Sequence, residues 1–79
     1  MPEVTIRYFA AARSAAGEST ATAEAGSIKE LVGTVSADRP ELARVLGICT
    51  VLVDGERVPL ETRLRPGALV DALPPFAGG

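Results

Sequence analysis

The sequence has no histidine, a single cysteine and a single lysine. With one cysteine, Cys49, no intrachain disulfide framework is possible, which fits a reducing compartment. No histidine is present to activate that thiol, and free cysteine is most often a small buried hydrophobe. Cys49 is therefore read as packing rather than as a sulfur-transfer residue. Lys29 stands alone, and the seven arginines are scattered, so they read as solvated surface. No basic face is left to neutralise phosphates, and nucleic acid is not an expected partner. There is no long apolar run, and the N-terminus lacks a basic region followed by an apolar stretch. A cytoplasmic protein without membrane association is the expectation. Asp and Glu show no metal-ligand spacing, and no nucleophile–base pairing is visible. No metal, no bound cofactor and no catalytic activity of the chain alone are expected.

What is present is enough for one domain. A chain of 79 residues buries only about 60% of the surface its unfolded form exposes, so the core must be compact and well patterned. Val4 to Phe9 alternates, with Val4, Ile6 and Tyr8 on one face and Thr5, Arg7 and Phe9 on the other, as in a half-buried strand. Phe9 is the anomaly, a large aromatic on the polar side. Ala10 to Gly17 reads as a short helical turn or a loop, and Ser19 to Ala25 as a weaker second strand.

Ser27 and Glu30 have the spacing of a capping box, in which the Ser hydroxyl accepts from the Glu30 N–H and Glu30 reaches back to Ser27. Ile28, Leu31, Val32 and Val35 then give a buried helical stripe ending before Asp38. Pro40 to Leu46 reads as a short second helix with Pro near its start. Thr50 to Val53 is a strand, Asp54-Gly55 a turn, and Glu56 to Val58 a short return strand. Glu61 to Arg65 is a loop or one helical turn. After the Pro66-Gly67 turn, Ala68 to Leu73 is the last strand, with Val70 and Ala72 on one face and Leu69, Asp71 and Leu73 on the other. This order predicts an α+β domain, a mixed sheet of about five strands covered by one main helix. Its first and last strands are central neighbours, the arrangement of the β-grasp fold of ubiquitin.

The predicted domain covers residues 1–73, and a tail covers 74–79. Pro74 cannot continue a sheet ladder, and Pro74-Pro75 favours an extended path away from the body. Gly78 and Gly79 have no side chains and can thread a narrow channel. Two glycines close a chain by chance in roughly 0.5% of cases, so the pair is informative together with the strand and Pro-Pro before it. A carboxylate is a poor electrophile; attack on the α-phosphate of ATP would turn the Gly79 carboxylate into an acyl-adenylate able to accept sulfur.

Ile6-Arg7-Tyr8-Phe9-Ala10, the Ser27 helix and the stretch from Pro66-Gly67 to Gly79 resemble the molybdopterin synthase small subunit, the MoaD family. The ending Leu73-Pro74-Pro75-Phe76-Ala77-Gly78-Gly79 is the most specific part, and the related thiamine sulfur carrier ThiS fits it less well. The resemblance implies a sulfur carrier for molybdenum cofactor biosynthesis. A MoeB-like adenylyltransferase, which uses the ATP, would activate Gly79, and a sulfur donor would convert it to a thiocarboxylate (1-thioglycine). Pro74, Pro75, Phe76, Ala77 and Gly78 would thread into a MoaE-like large subunit, in a heterotetramer. Phe9 and Leu73, both facing away from the predicted core, would form an apolar docking patch. Arg57 stands where the family often has an apolar residue, so the interface would be more polar or the turn differently registered, with Val58 and Leu60 able to supply apolar area. The alternatives are a carrier for thiamine or cysteine biosynthesis, a ubiquitin-like modifier of other proteins, and a structural β-grasp module with an inert tail.

Overall fold

The structure, a computed structural model, describes residues 1–75. The first strand, β1 (Glu3–Tyr8), follows the sequence alternation, and Val4, Ile6 and Tyr8 are each 1% exposed. The Ala-rich segment after it resolves into a helix, α1 (Ala11–Ala16). Gly17 closes α1 in the left-handed conformation (φ 77°), its N–H donating to the Arg13 carbonyl at 2.9 Å. Strand β2 (Thr20–Glu24) then runs back antiparallel to β1.

Helix α2 (Ile28–Val35) starts where Ser27 caps it, the hydroxyl accepting from the Glu30 N–H at 3.2 Å. The reciprocal half of the box differs from expectation. The Glu30 carboxylate reaches past Ser27 and accepts from the Gly26 N–H at 2.8 Å. Gly26 is fixed within reach because its carbonyl accepts from Leu64 N at 2.9 Å, beside an isolated bridge between Ser27 and Arg63. Helix α3 (Pro40–Leu46) has Pro in its first turn, where a missing N–H is harmless, and buries Leu42, Val45 and Leu46.

The remaining strands are β3 (Thr50–Val53), β4 (Glu56–Arg57) and β5 (Leu69–Leu73). Asp54 and Gly55 both have positive φ (50° and 87°), the geometry that lets a two-residue turn match the twist of a hairpin. The sheet order is β2-β1-β5-β3-β4, with β1 and β5 parallel and all other neighbours antiparallel. This is the expected β-grasp arrangement, with the last strand in the middle of the sheet.

One face of the sheet carries the core. Val4, Ile6, Tyr8, Val70 and Ala72 pack with Ile28 and Leu31 of α2 and Leu42, Val45 and Leu46 of α3. Each fully buried Leu or Ile contributes about 1.5–3 kcal/mol relative to exposure. Ala12, Ala25 and Ala72, all 0% exposed, leave little side chain between the layers, so the backbones approach closely. The cover is more than the one main helix expected, because α1 and α3 also pack on each other. Among the described residues, no helix is long and apolar enough to cross a membrane.

Candidate functional site

The face of the sheet turned away from the helices is where the chemistry of the sequence gathers. Register fixes its rows. Arg7 on β1 lies beside Asp71 on β5, Asp71 beside Leu52 on β3, and Leu52 beside Arg57 on β4. Leu73 lies beside Thr50 in the next row. Phe9, one residue beyond β1, donates its N–H to the Ala72 carbonyl at 3.3 Å, which sets it alongside Leu73.

Arg7 ties this face together. Its Nε donates to Asp71 Oδ1 at 2.6 Å and its Nη2 to Oδ2 at 2.8 Å, a fork-to-fork pair. These bonds raise the Arg7 pKa further, against the opposing pull of desolvation. The guanidinium carbon also sits 5.6 Å from the Phe9 ring centroid, within cation–π range. Phe9 is held from both sides in the chain, because its carbonyl accepts from Ala12 N at 3.0 Å across a turn centred on Ala10.

Phe9 and Leu73 are brought together, and both are half-buried rather than open to solvent. Arg57 is exposed and lies three strands away from Arg7, in the same row. The row also contains two residues that reading the sequence passed over, Asp71 and Leu52. Asp71 is 8% exposed, a buried carboxylate in the last strand. Its signal was available: Arg7 and Asp71 occupy the polar face of the two strands expected to be central neighbours. The arginines are correspondingly less uniform than a solvated surface. Besides Arg7, Arg39 donates to the Ala16 carbonyl and thereby links the start of α3 to the end of α1.

The sheet ladder ends at Leu73. Pro74 continues the alternation toward the core side and is buried, and Pro75 is exposed. Phe76, Ala77, Gly78 and Gly79 lie outside the described residues. The end of β5 is braced on both flanks, because β5 is bonded to β1 on one side and β3 on the other.

Cys49 is half-buried, and its thiol donates to the Val45 carbonyl at 3.2 Å. Burial pushes its pKa up, which keeps it a thiol rather than a thiolate nucleophile. Among the described residues, no three His, Cys, Asp or Glu side chains converge as metal ligands would.

Comparison with known proteins agrees with this fold. The ThiS family pattern matches residues 6–79. No curated protein sequence matches the chain. Among solved structures, the small archaeal modifier protein 1 of Methanosarcina acetivorans is 25% identical, with a TM-score of 0.88 over 100% of this chain and 98% of its own. Subunit 1 and 2 of the molybdopterin-converting factor from Helicobacter pylori, solved as a complex, include a chain 27% identical, with a TM-score of 0.74 over 98% of this chain and 99% of that one. A molybdopterin converting factor subunit 1 from Pyrococcus furiosus, so described provisionally, is 21% identical and shares the fold, with a TM-score of 0.82 over 96% of this chain and all of its own.

Proposed function

The chain belongs to the ThiS family, and on that premise we propose that it is a sulfur carrier whose Gly79 carboxylate becomes a thiocarboxylate for molybdopterin synthesis. The observation that carries this reading is the position of β5. The last described strand is the middle strand of the sheet, so the segment from Pro75 onward follows a strand that is hydrogen-bonded on both sides. A short tail on a rigid base can be delivered into a partner's site with little loss of conformational freedom beyond its own.

The chemistry would run in two balanced steps. A Gly79 carboxylate oxygen attacks the α-phosphate of ATP, pyrophosphate leaves, and an acyl-adenylate forms. A persulfide sulfur then attacks the acyl carbon and AMP leaves with that oxygen; reductive cleavage of the S–S bond by a thiol leaves the thiocarboxylate. The first step belongs to a MoeB-like activating enzyme. The sulfur would be used in the pocket of a MoaE-like large subunit, with the two subunits paired in a heterotetramer. The Helicobacter pylori complex of subunits 1 and 2 supports a partner of that kind. Phe9 and Leu73, braced by Arg7 and Asp71, would be the docking patch, with Arg57 at its polar margin.

Incubation with ATP, a MoeB-like enzyme and a sulfur donor tests this. The intact mass should rise by the replacement of one oxygen with sulfur, localised to Gly79. An unchanged mass, with an enzyme shown to activate another carrier, would overturn it.

A second reading is favoured by the likeness to the Methanosarcina acetivorans modifier protein. The same acyl-adenylate, attacked by a lysine amine instead of sulfur, would give an isopeptide. Products of higher mass that disappear when Gly78-Gly79 is deleted would support it.

A further inference from the structure

Among the described residues the sheet has two edges, β4 and β2. An open edge offers unpaired backbone groups to another strand, and proteins blunt such edges with brevity, proline, lysine or a bulge. The β4 edge is blunted by brevity, consisting of Glu56 and Arg57 alone. The β2 edge is not. It runs from Thr20 to Glu24 in unbroken register with β1 and contains neither proline nor lysine.

Parity settles which backbone groups of β2 are free. The Tyr8 N–H donates to the Ser19 carbonyl at 2.8 Å and the Ala25 N–H to the Pro2 carbonyl at 3.0 Å, so Ser19, Ala21, Ala23 and Ala25 turn their backbone groups toward β1. Thr20, Thr22 and Glu24 turn theirs away from the sheet, and all three residues are exposed. Ala21 and Ala23 lie opposite Ile6 and Val4 and are half-buried, so small side chains flank the edge on its core side.

The charges along this edge are of one sign. Glu18 and Glu24 are the only charged residues between positions 14 and 28. Glu24 lies directly opposite Glu3 at a position without paired hydrogen bonds, where facing Cα atoms are typically about 4.5 Å apart and like charges repel. Among the described residues neither carboxylate makes an ion pair.

We infer that the free edge of β2 takes an extended segment of a partner protein as an added strand, with a lysine or arginine of that segment opposite Glu24. The backbone groups of Thr20, Thr22 and Glu24 select an extended strand, since main-chain hydrogen bonds hold an added strand to an edge. The uncompensated Glu3 and Glu24 select its charge, because a cation opposite Glu24 turns a repulsive row into an attractive one. A second copy of β2 satisfies the same backbone groups less well in charge. Paired antiparallel about Thr22, it sets Thr20 against Glu24 and brings no cation to the carboxylates. The inference is independent of the chemistry of Gly79. A strand added here extends the sheet sideways and leaves its outer face, with Phe9 and Leu73, uncovered.

The test uses the full chain and two capped peptides, Arg-Val-Thr-Val-Thr and Glu-Val-Thr-Val-Thr. Run antiparallel to β2, each places its charged residue opposite Glu24. With the Arg peptide in excess, amide hydrogen exchange read by NMR should slow several-fold at Thr20, Thr22 and Glu24. It should stay unchanged at Ala21 and Ala23, whose N–H groups already face β1. The Glu peptide should bind several-fold more weakly, and Glu24→Gln should narrow that difference. Thr22→Pro should abolish binding with the fold intact by circular dichroism, because the N–H it removes is not one that β1 uses. Unchanged exchange at Thr20, Thr22 and Glu24 would overturn the inference, as would equal binding of the two peptides. Protection of the same three amides that grows with protein concentration alone would overturn it too, by assigning the edge to a second copy.

Discussion

Arg7 and Asp71 stand side by side on the two central strands, joined by hydrogen bonds of 2.6 and 2.8 Å across a separation of 64 residues in sequence. Their side chains are unequally exposed, 44% for Arg7 and 11% for Asp71. The carboxylate is thus the group that depends on the pair, because it has been taken out of water and the guanidinium has not. Removing one partner of a sheltered pair leaves an uncompensated charge, whereas replacing both with apolar groups removes the problem.

This asymmetry sets an expected order of stabilities. Arg7→Met should lower the melting temperature measurably, and Arg7→Met/Asp71→Leu should recover most of the loss. Thermal melts of both variants and the parent give the answer. An Arg7→Met melt superimposable on the parent would mean that the pair is a bystander and that Asp71 is solvated in another way.

Tyr8 is 1% exposed, yet its hydroxyl has no hydrogen-bond partner among the described residues. An unsatisfied buried hydroxyl costs about 1–3 kcal/mol. Tyr8→Phe should therefore be neutral or raise stability by about 1 kcal/mol in urea denaturation. A loss of stability would mean that the hydroxyl has a bound water or another partner.

The same residue predicts a pH effect. Burial raises the Tyr8 pKa above its ordinary value, aided by Glu18 and opposed by Arg39. The fold therefore holds the neutral phenol. Its contribution is fully present below the unfolded pKa of about 10 and is lost as pH rises through the higher folded value. The parent should lose stability above about pH 10 more steeply than Tyr8→Phe. Tyr8 is the only tyrosine and there is no tryptophan, so tyrosinate absorbance reports this group alone.

The turn that locks Phe9 carries backbone strain. Ala10 has φ 50° and ψ −123°, a region that a residue with a Cβ rarely occupies. Such strain costs of order 1–3 kcal/mol, and glycine would relieve it while adding unfolded-state entropy worth about 0.4–1 kcal/mol. Ala10→Gly should raise stability by about 1 kcal/mol in the same denaturation experiment. A destabilised variant would show that the methyl group's contacts outweigh the strain.

Much of this fold is legible from local pattern. The alternation at Val4, Ile6 and Tyr8, the Ser27 cap, the Asp54-Gly55 turn and the Val70/Ala72 face are each decided within a few residues. The ambiguous parts are those decided at a distance. Helix α1 has only six residues, too short to persist alone, and it forms because Ala12 and Ala16 are buried in the core and α3 packs against it. The burial of Asp71 needs a partner from the other end of the chain, and Arg39 becomes structural only once α1 has ended where its guanidinium can reach the Ala16 carbonyl. Pro74 reads locally as a departure point, but strand parity turns it toward the core and it is buried.

The last expectation concerns the face around Phe9. Its ring is presented by two fixed points, the Ala72 carbonyl that accepts its N–H and the Ala12 N–H that its carbonyl accepts, with Arg7 against the ring. A pre-set aromatic adds contact area without an ordering cost, which is the profile of an interface anchor. Phe9→Ser should weaken binding to a MoaE-like large subunit about tenfold or more, with the fold intact by circular dichroism. Arg57 lies at the margin of the same face and is exposed, so its contribution should be electrostatic and screened by salt. Arg57→Leu should therefore change the salt dependence of association more than the affinity at high salt. Unchanged binding by Phe9→Ser, in a variant that still forms the thiocarboxylate, would move the docking surface off this face of the sheet.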